Sequence, residues 1–212
     1  MLKIASVFVA SLTLSAAAQA VTVLTTTLTN SQENPPAVPT LTSGQPRPVS
    51  SGTATFTLND AMTSMSFTAM IQNIDFTGSQ TADINDNLTA AHIHAGAAVT
   101  PTTNGGVVWG FFGSPFNDNN PNDVVVTPFA SGVGGTISGK WDAAEGNNTT
   151  LTAQLNNILE GRSYINFHTT QFAGGEIRGN IPPIPEPETY ALMLAGLGAM
   201  TLVARKRRQT RA

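Results

Sequence analysis

The chain has 212 residues, 41% of them hydrophobic and only 11% charged, with no cysteine and three histidines. That length suits one domain plus processing segments, and a chain without cysteine has no disulfide, thiolate zinc site or cysteine nucleophile. The formal net charge of −3 conceals an asymmetry: without Lys3 and the C-terminal Arg205, Lys206, Arg207, Arg208 and Arg211, four Lys+Arg face 13 Asp+Glu, a net of −9. An acidic body offers no basic stripe for neutralising phosphates, which excludes nucleic acid as a partner.

In chain order, residues 1–20 combine Lys3, an apolar run from Ile4 to Leu14 and the small-x-small site Ala18-Gln19-Ala20, the pattern of a secretory signal peptide. A body spanning 21–181 follows, rich in period-two alternation. Strands are predicted over 22–29, from Thr53 to Leu58 and from Met65 to Ile71, with the Pro-rich stretch 34–50 as a loop. Further strands are expected over 90–95, 106–112, 123–129, 134–141, 163–169 and 175–181, punctuated by turns such as NDNNPND (117–123) and AEGNN (144–148). Many short strands with turns between them argue for an all-β protein, an antiparallel sandwich or a barrel.

One segment departs from that rhythm. TTLTAQLNNILEG (149–161) sets Leu151, Leu155, Ile158 and Leu159 at helical spacing, with Asn148 or Thr149 as cap and Gly161 as stop, so a short helix is expected near 150–160. At the C-terminus, 182–212, a Pro-rich break precedes an apolar run from Tyr190 to Ala204 and then the basic cluster. Fifteen residues at ~1.5 Å each reach only ~22 Å against a ~30 Å hydrocarbon core, a marginal transmembrane helix over about 190–204. The basic cluster predicts a cytoplasmic C-terminus and an acidic body outside, the topology the signal peptide also requires.

Chemistry concentrates on three strands. In extended chain His92 and His94 share a face, as do Tyr164, Asn166 and His168, and as do Glu176, Arg178 and Asn180. If these strands are neighbours, all three histidines meet in one polar patch. His-x-His on a strand with a distant third histidine is a ligand pattern for zinc or copper through His92, His94 and His168. The competing reading is a hydrogen-bonded ladder with Asn166, Glu176 and backbone groups on a half-buried sheet face. Glu176 and Arg178 can be paired across strands, or the arginine can orient a carboxylate. In 105–131, Trp109, Phe111, Phe112, Phe116 and Phe129 read as core or as an exposed aromatic platform for a glycan or partner.

Two stretches carry family resemblances. Pro185-Glu186-Pro187, a short apolar run and Arg205-Lys206-Arg207-Arg208 resemble a PEP-CTERM sorting signal. That resemblance implies a Gram-negative host with an exopolysaccharide-associated surface, and processing of the tail by a membrane exosortase. Within the body, Gln32-Glu33-Asn34-Pro35-Pro36, Ser51-Gly52-Thr53-Ala54, Ala91-His92-Ile93-His94-Ala95-Gly96, Tyr164-Ile165-Asn166-Phe167-His168-Thr169 and Gly174-Gly175-Glu176-Ile177-Arg178-Gly179 resemble the CHRD (chordin-type) domain. This resemblance implies an all-β sandwich, immunoglobulin-like or superoxide-dismutase-like, and no defined reaction.

Function then divides into two expectations. The first is a non-enzymatic module at the cell surface or in the extracellular matrix. It is membrane-anchored before exosortase processing, and its role is adhesive, scaffold or binding, with exopolysaccharide or other surface proteins as partners. The second is a metal-binding protein or metalloenzyme built on the histidines. Hydrolase motifs such as Gly-x-Ser-x-Gly and His-Glu-x-x-His are missing from the chain. The surface module is the reading the sequence favours.

Overall fold

The computed structural model describes residues 22–184, with Gly196, Leu197 and Met200 beyond them. The signal peptide expected over 1–20 lies outside the described residues. So does the apolar helix expected over 190–204, apart from Gly196, Leu197 and Met200, which are helical and exposed. Among the described residues no helix is long and apolar enough to cross a membrane.

Nine strands form: β1 (Thr22–Thr29), β2 (Ser51–Leu58), β3 (Ser64–Gln72), β4 (Leu88–Ala95), β5 (Val107–Phe112), β6 (Val125–Pro128), β7 (Gly134–Asp142), β8 (Ser163–Thr169) and β9 (Ile177–Ile181). Helix α1 spans Leu151–Leu159. Period-two alternation is visible wherever one strand face meets water. In β2 and β3, Ala54, Phe56, Leu58, Met65, Phe67, Ala69 and Ile71 are buried while the intervening residues are more exposed. Two strands are shorter than the pattern predicts by two residues or more. β6 starts late because the Asp118 carboxylate takes the N–H groups of Asp123 and Val124, at 3.1 and 2.9 Å. β9 starts late because Gly175 sits at φ +128°, a conformation that interrupts an extended run.

All pairings are antiparallel, and one continuous sheet runs β5-β4-β8-β9-β1-β2-β3-β7-β6. The seam between β9 and β1 is thin, with the single register pair Thr29 and Arg178. Around that seam the sheet curls until strands far apart in its order face one another. Phe67 of β3 meets Phe111 of β5 with ring centroids 4.6 Å apart, and Trp109 of β5 stacks on Trp141 of β7 at 5.6 Å. The apolar faces of the two arms thus enclose one core, each fully buried large side chain contributing on the order of 2–3 kcal/mol by its removal from water.

Helix α1 packs Leu151 and Ile158 into that core. Its N-cap is Thr150, whose Oγ1 accepts from Ala153 N at 3.2 Å, one residue later than the sequence suggests, because the Thr149 hydroxyl accepts from Gln154 Nε2 instead. Gly161, at φ +73°, follows the helix as its stop.

Candidate functional site

The arm β5-β4-β8-β9 is buried on both faces. Ala91, Ile93, Ile165, Phe167, Ile177 and Ile181 point into the core. Strand register then dictates what the opposite face carries: His94 pairs with Tyr164 and Tyr164 with Asn180, while His92 pairs with Asn166 and Asn166 with Arg178. His168 lies one diagonal from His92 on that same face. The adjacency that sequence counting could only suppose is therefore present: β4, β8 and β9 are consecutive, and the three histidines converge.

Loops close over this polar face and supply its hydrogen bonds. His94 Nδ1 lies 2.9 Å from Gly105 O, His168 Nδ1 lies 2.9 Å from Ala173 O, and His92 Nε2 lies 3.2 Å from Ser114 O. His92 Nδ1 and His168 Nε2 are 3.0 Å apart. One ligand-capable nitrogen from each of the three rings lies within 4.8 Å of the others, and among the described residues no carboxylate joins that group. The Ser114 contact depends on Gly110, because a Cβ there would sit 1.8 Å from Pro115 O. Only glycine inside β5 lets the 113–117 segment fold back so closely.

Around the rings, His94 stacks on Tyr164 with centroids 4.6 Å apart and planes at 5°, and the Arg178 guanidinium lies 3.6 Å from the Tyr164 ring centroid. Arg178 is completely buried and fully engaged, donating to Thr100 O, Asn104 Oδ1 and Asn180 Oδ1 at 2.6–3.0 Å. Burial lowers the pKa of all three histidines, to about 3 for His92 and about 4 for His94, so each is a neutral imidazole at neutral pH. The same cause pushes the Tyr164 phenol up.

Glu176, which strand counting groups with Arg178, has other partners. It lies just before β9, where its carboxylate accepts from Arg47, Ser50 and Thr169, and none of its hydrogen bonds goes to a histidine. The carboxylate nearest Arg178 in its electrostatic effect is instead Glu33, from the loop after β1. Glu33 accepts from Asn166 Nδ2 at 2.5 Å, and burial raises its pKa to about 7 despite Arg178 and Asn166 acting in the opposite direction. Sequence reasoning assigned no role to Glu33 or Arg47. The signal available was their rarity, since a lone glutamate in QENPP and a lone arginine in a Pro-rich loop stand out in a chain with 11% charged residues. An open cleft bounded by Glu33, Asn34, Asn104 and the 171–175 loop borders the patch. Of the aromatic residues in 105–131, Trp109 and Phe111 are fully buried core, whereas Phe116 is exposed.

These features define a class: an all-β module whose curled antiparallel sheet buries a polar arm carrying all its histidines. The chain matches the CHRD domain model over residues 24–181 and the PEP-CTERM protein-sorting motif over residues 183–208. It belongs to the CHRD domain family, and its tail is a PEP-CTERM signal, which marks export and handling by an exosortase-type system in Gram-negative bacteria. No curated protein and no solved structure matches the chain.

Proposed function

We propose that this chain is a non-enzymatic surface or matrix module, exported by its N-terminal signal peptide (1–20) and displayed by its tail (182–212). The observation that carries the reading is the direct junction of the two matches, with the sorting motif beginning at 183 where the folded domain ends at 181. A domain joined to its sorting segment without a spacer is delivered close to the membrane that the 190–204 segment would span before processing. The two arms of the curled sheet serve as the layers of an immunoglobulin-like or superoxide-dismutase-like sandwich, a rigid support for adhesive or scaffold contacts. The outer face of β1 and β2 is uncharged and threonine-rich, as in the Thr25 and Thr55 hydroxyl pair, which suits hydrogen bonding to exopolysaccharide or to other surface proteins.

The test is fractionation of cells producing the full chain and a 185–212 deletion. The full chain is expected at the cell surface, with the deletion variant released into the medium as a folded domain. Retention of the deletion variant at the surface overturns the reading.

A further inference from the structure

Hydrogen-bond chemistry fixes the tautomers of two of the three buried imidazoles, His94 and His168. A backbone carbonyl only accepts, so His168 Nδ1, 2.9 Å from Ala173 O, carries the proton of that neutral ring, and Nε2 is left with a bare lone pair. The same argument protonates His94 Nδ1 against Gly105 O and leaves His94 Nε2 bare. That nitrogen is buried and has no hydrogen-bond partner. Among buried polar atoms this is a costly state.

His92 is caught between two acceptors. With its proton on Nε2 it satisfies Ser114 O at 3.2 Å but turns the Nδ1 lone pair toward the lone pair of His168 Nε2 at 3.0 Å. With its proton on Nδ1 it satisfies His168 but sets a lone pair against the Ser114 carbonyl. Neither neutral form relieves both contacts, and burial disfavours the imidazolium that would. A cation held between the rings resolves both problems and also gives His94 Nε2 a partner.

We propose that His92 Nδ1, His94 Nε2 and His168 Nε2 form a three-imidazole site for a borderline divalent cation, zinc or copper(II). The donor set selects the ion class: three neutral nitrogens suit zinc, copper and nickel, while calcium and magnesium require oxygen ligands. Each ligand ring already sets its other nitrogen against a backbone carbonyl, the outer-shell arrangement that orients metal-binding histidines. Zinc–nitrogen bonds of ~2.0–2.1 Å in tetrahedral geometry put neighbouring nitrogens roughly 3.3 Å apart. The His92 and His168 pair at 3.0 Å is close to that spacing, and His94 completes the set by a small inward movement along Tyr164. Three protein ligands leave a fourth position for water or another small donor. The site is independent of the sorting proposal, since tail deletion tests one and metal content the other.

The full chain, stripped with chelator and reloaded by dialysis against zinc chloride or copper(II) chloride, is assayed by plasma mass spectrometry and titration calorimetry. The same measurements are made on His94→Gln, which sits at the edge of the trio, and on His92→Ala/His168→Ala. Circular dichroism establishes that each variant is folded. The expected result is one equivalent of metal in the wild type and a rise in its thermal midpoint on loading. Folded His94→Gln is expected to lose more affinity than the roughly 10–100-fold that removal of an outer-shell partner costs. A folded wild type without stoichiometric metal overturns the site, as does a folded His94→Gln with unchanged affinity. Should the double variant not fold, the wild-type stoichiometry and His94→Gln decide the matter alone.

Discussion

Trp109 and Trp141, from strands near opposite ends of the sheet order, lie face to face with centroids 5.6 Å apart and planes at 8°. They are the only tryptophans in the chain, and both are fully buried. Their indoles differ in one respect: Trp141 Nε1 donates to Glu145 O at 2.7 Å, whereas Trp109 Nε1 has no partner. Replacing Trp141 by Phe loses a buried hydrogen bond and leaves Glu145 O with Leu151 N, at 3.2 Å, as its donor, while replacing Trp109 by Phe removes a donor that was already unsatisfied. Trp141→Phe is therefore expected to be the more destabilising by about 1 kcal/mol in urea unfolding. Either substitution should abolish the coupled tryptophan signal in near-ultraviolet circular dichroism, and equal costs would refute the assignment of the two indoles.

Arg47 and Glu176 form an ion pair with both side chains at or below 3% exposure, tying the Pro-rich loop to the start of β9. Removing one partner of such a pair leaves an uncompensated buried charge, so Arg47→Met is expected to cost about 3–5 kcal/mol. Neutralising the other side as well, in Arg47→Met/Glu176→Gln, should recover part of that loss, because the amide no longer needs a cation. Urea midpoints of the wild type, both single variants and the double variant measure the coupling. A double variant no more stable than Arg47→Met would show that the charge itself is not the problem.

Gly110 is expected to tolerate no side chain. A Cβ at this position would meet Pro115 O at 1.8 Å and His92 Cδ2 at 3.1 Å, forcing the 113–117 segment away from β5. Gly110→Ala should cost about 1–3 kcal/mol through that displacement. It should also detach Ser114 O from His92, which nitrogen chemical shifts of the imidazole would register as a change of tautomer. Unchanged His92 shifts in a folded Gly110→Ala variant would contradict the contact.

The division between what could and could not be read beforehand follows from the range of each interaction. The shared face of His92 and His94 needs only the two-residue period of a strand, and Leu151 and Ile158 need only the helical one. Both are local, and both hold in the structure. The meeting of His92 with His168 depends on β4 pairing with β8, a contact across 76 residues that no local pattern encodes. Period-two counting groups Glu176 with Arg178 by extending one residue beyond the start of β9 at Ile177, to a position next to Gly175 and its positive φ. Glu33 and Arg47 escaped because they sit in loops, whose backbone path sets side-chain direction without any period.

Glu33 and the histidines give opposite pH dependences over overlapping ranges. For Glu33, burial raises the carboxyl from 4.5 to about 7, so the folded chain binds this proton more tightly than the unfolded one. Stability from this group is full below pH 4.5 and is lost as pH rises through about 7. For His92 and His94, burial lowers the rings from 6.5 to about 3 and about 4, so their contribution is present above pH 6.5 and lost as pH falls toward those values. The two effects oppose each other between 4.5 and 6.5, and the wild-type profile alone does not separate them. Glu33→Gln does, since an amide keeps the acceptor for Asn166 Nδ2 but does not titrate. In metal-free buffer, the stability of Glu33→Gln relative to the wild type is expected to rise between pH 5 and 8, by at most on the order of 3 kcal/mol. A flat difference across that range would mean that Glu33 is ionised throughout, held as a carboxylate by Arg178 against the cost of its burial.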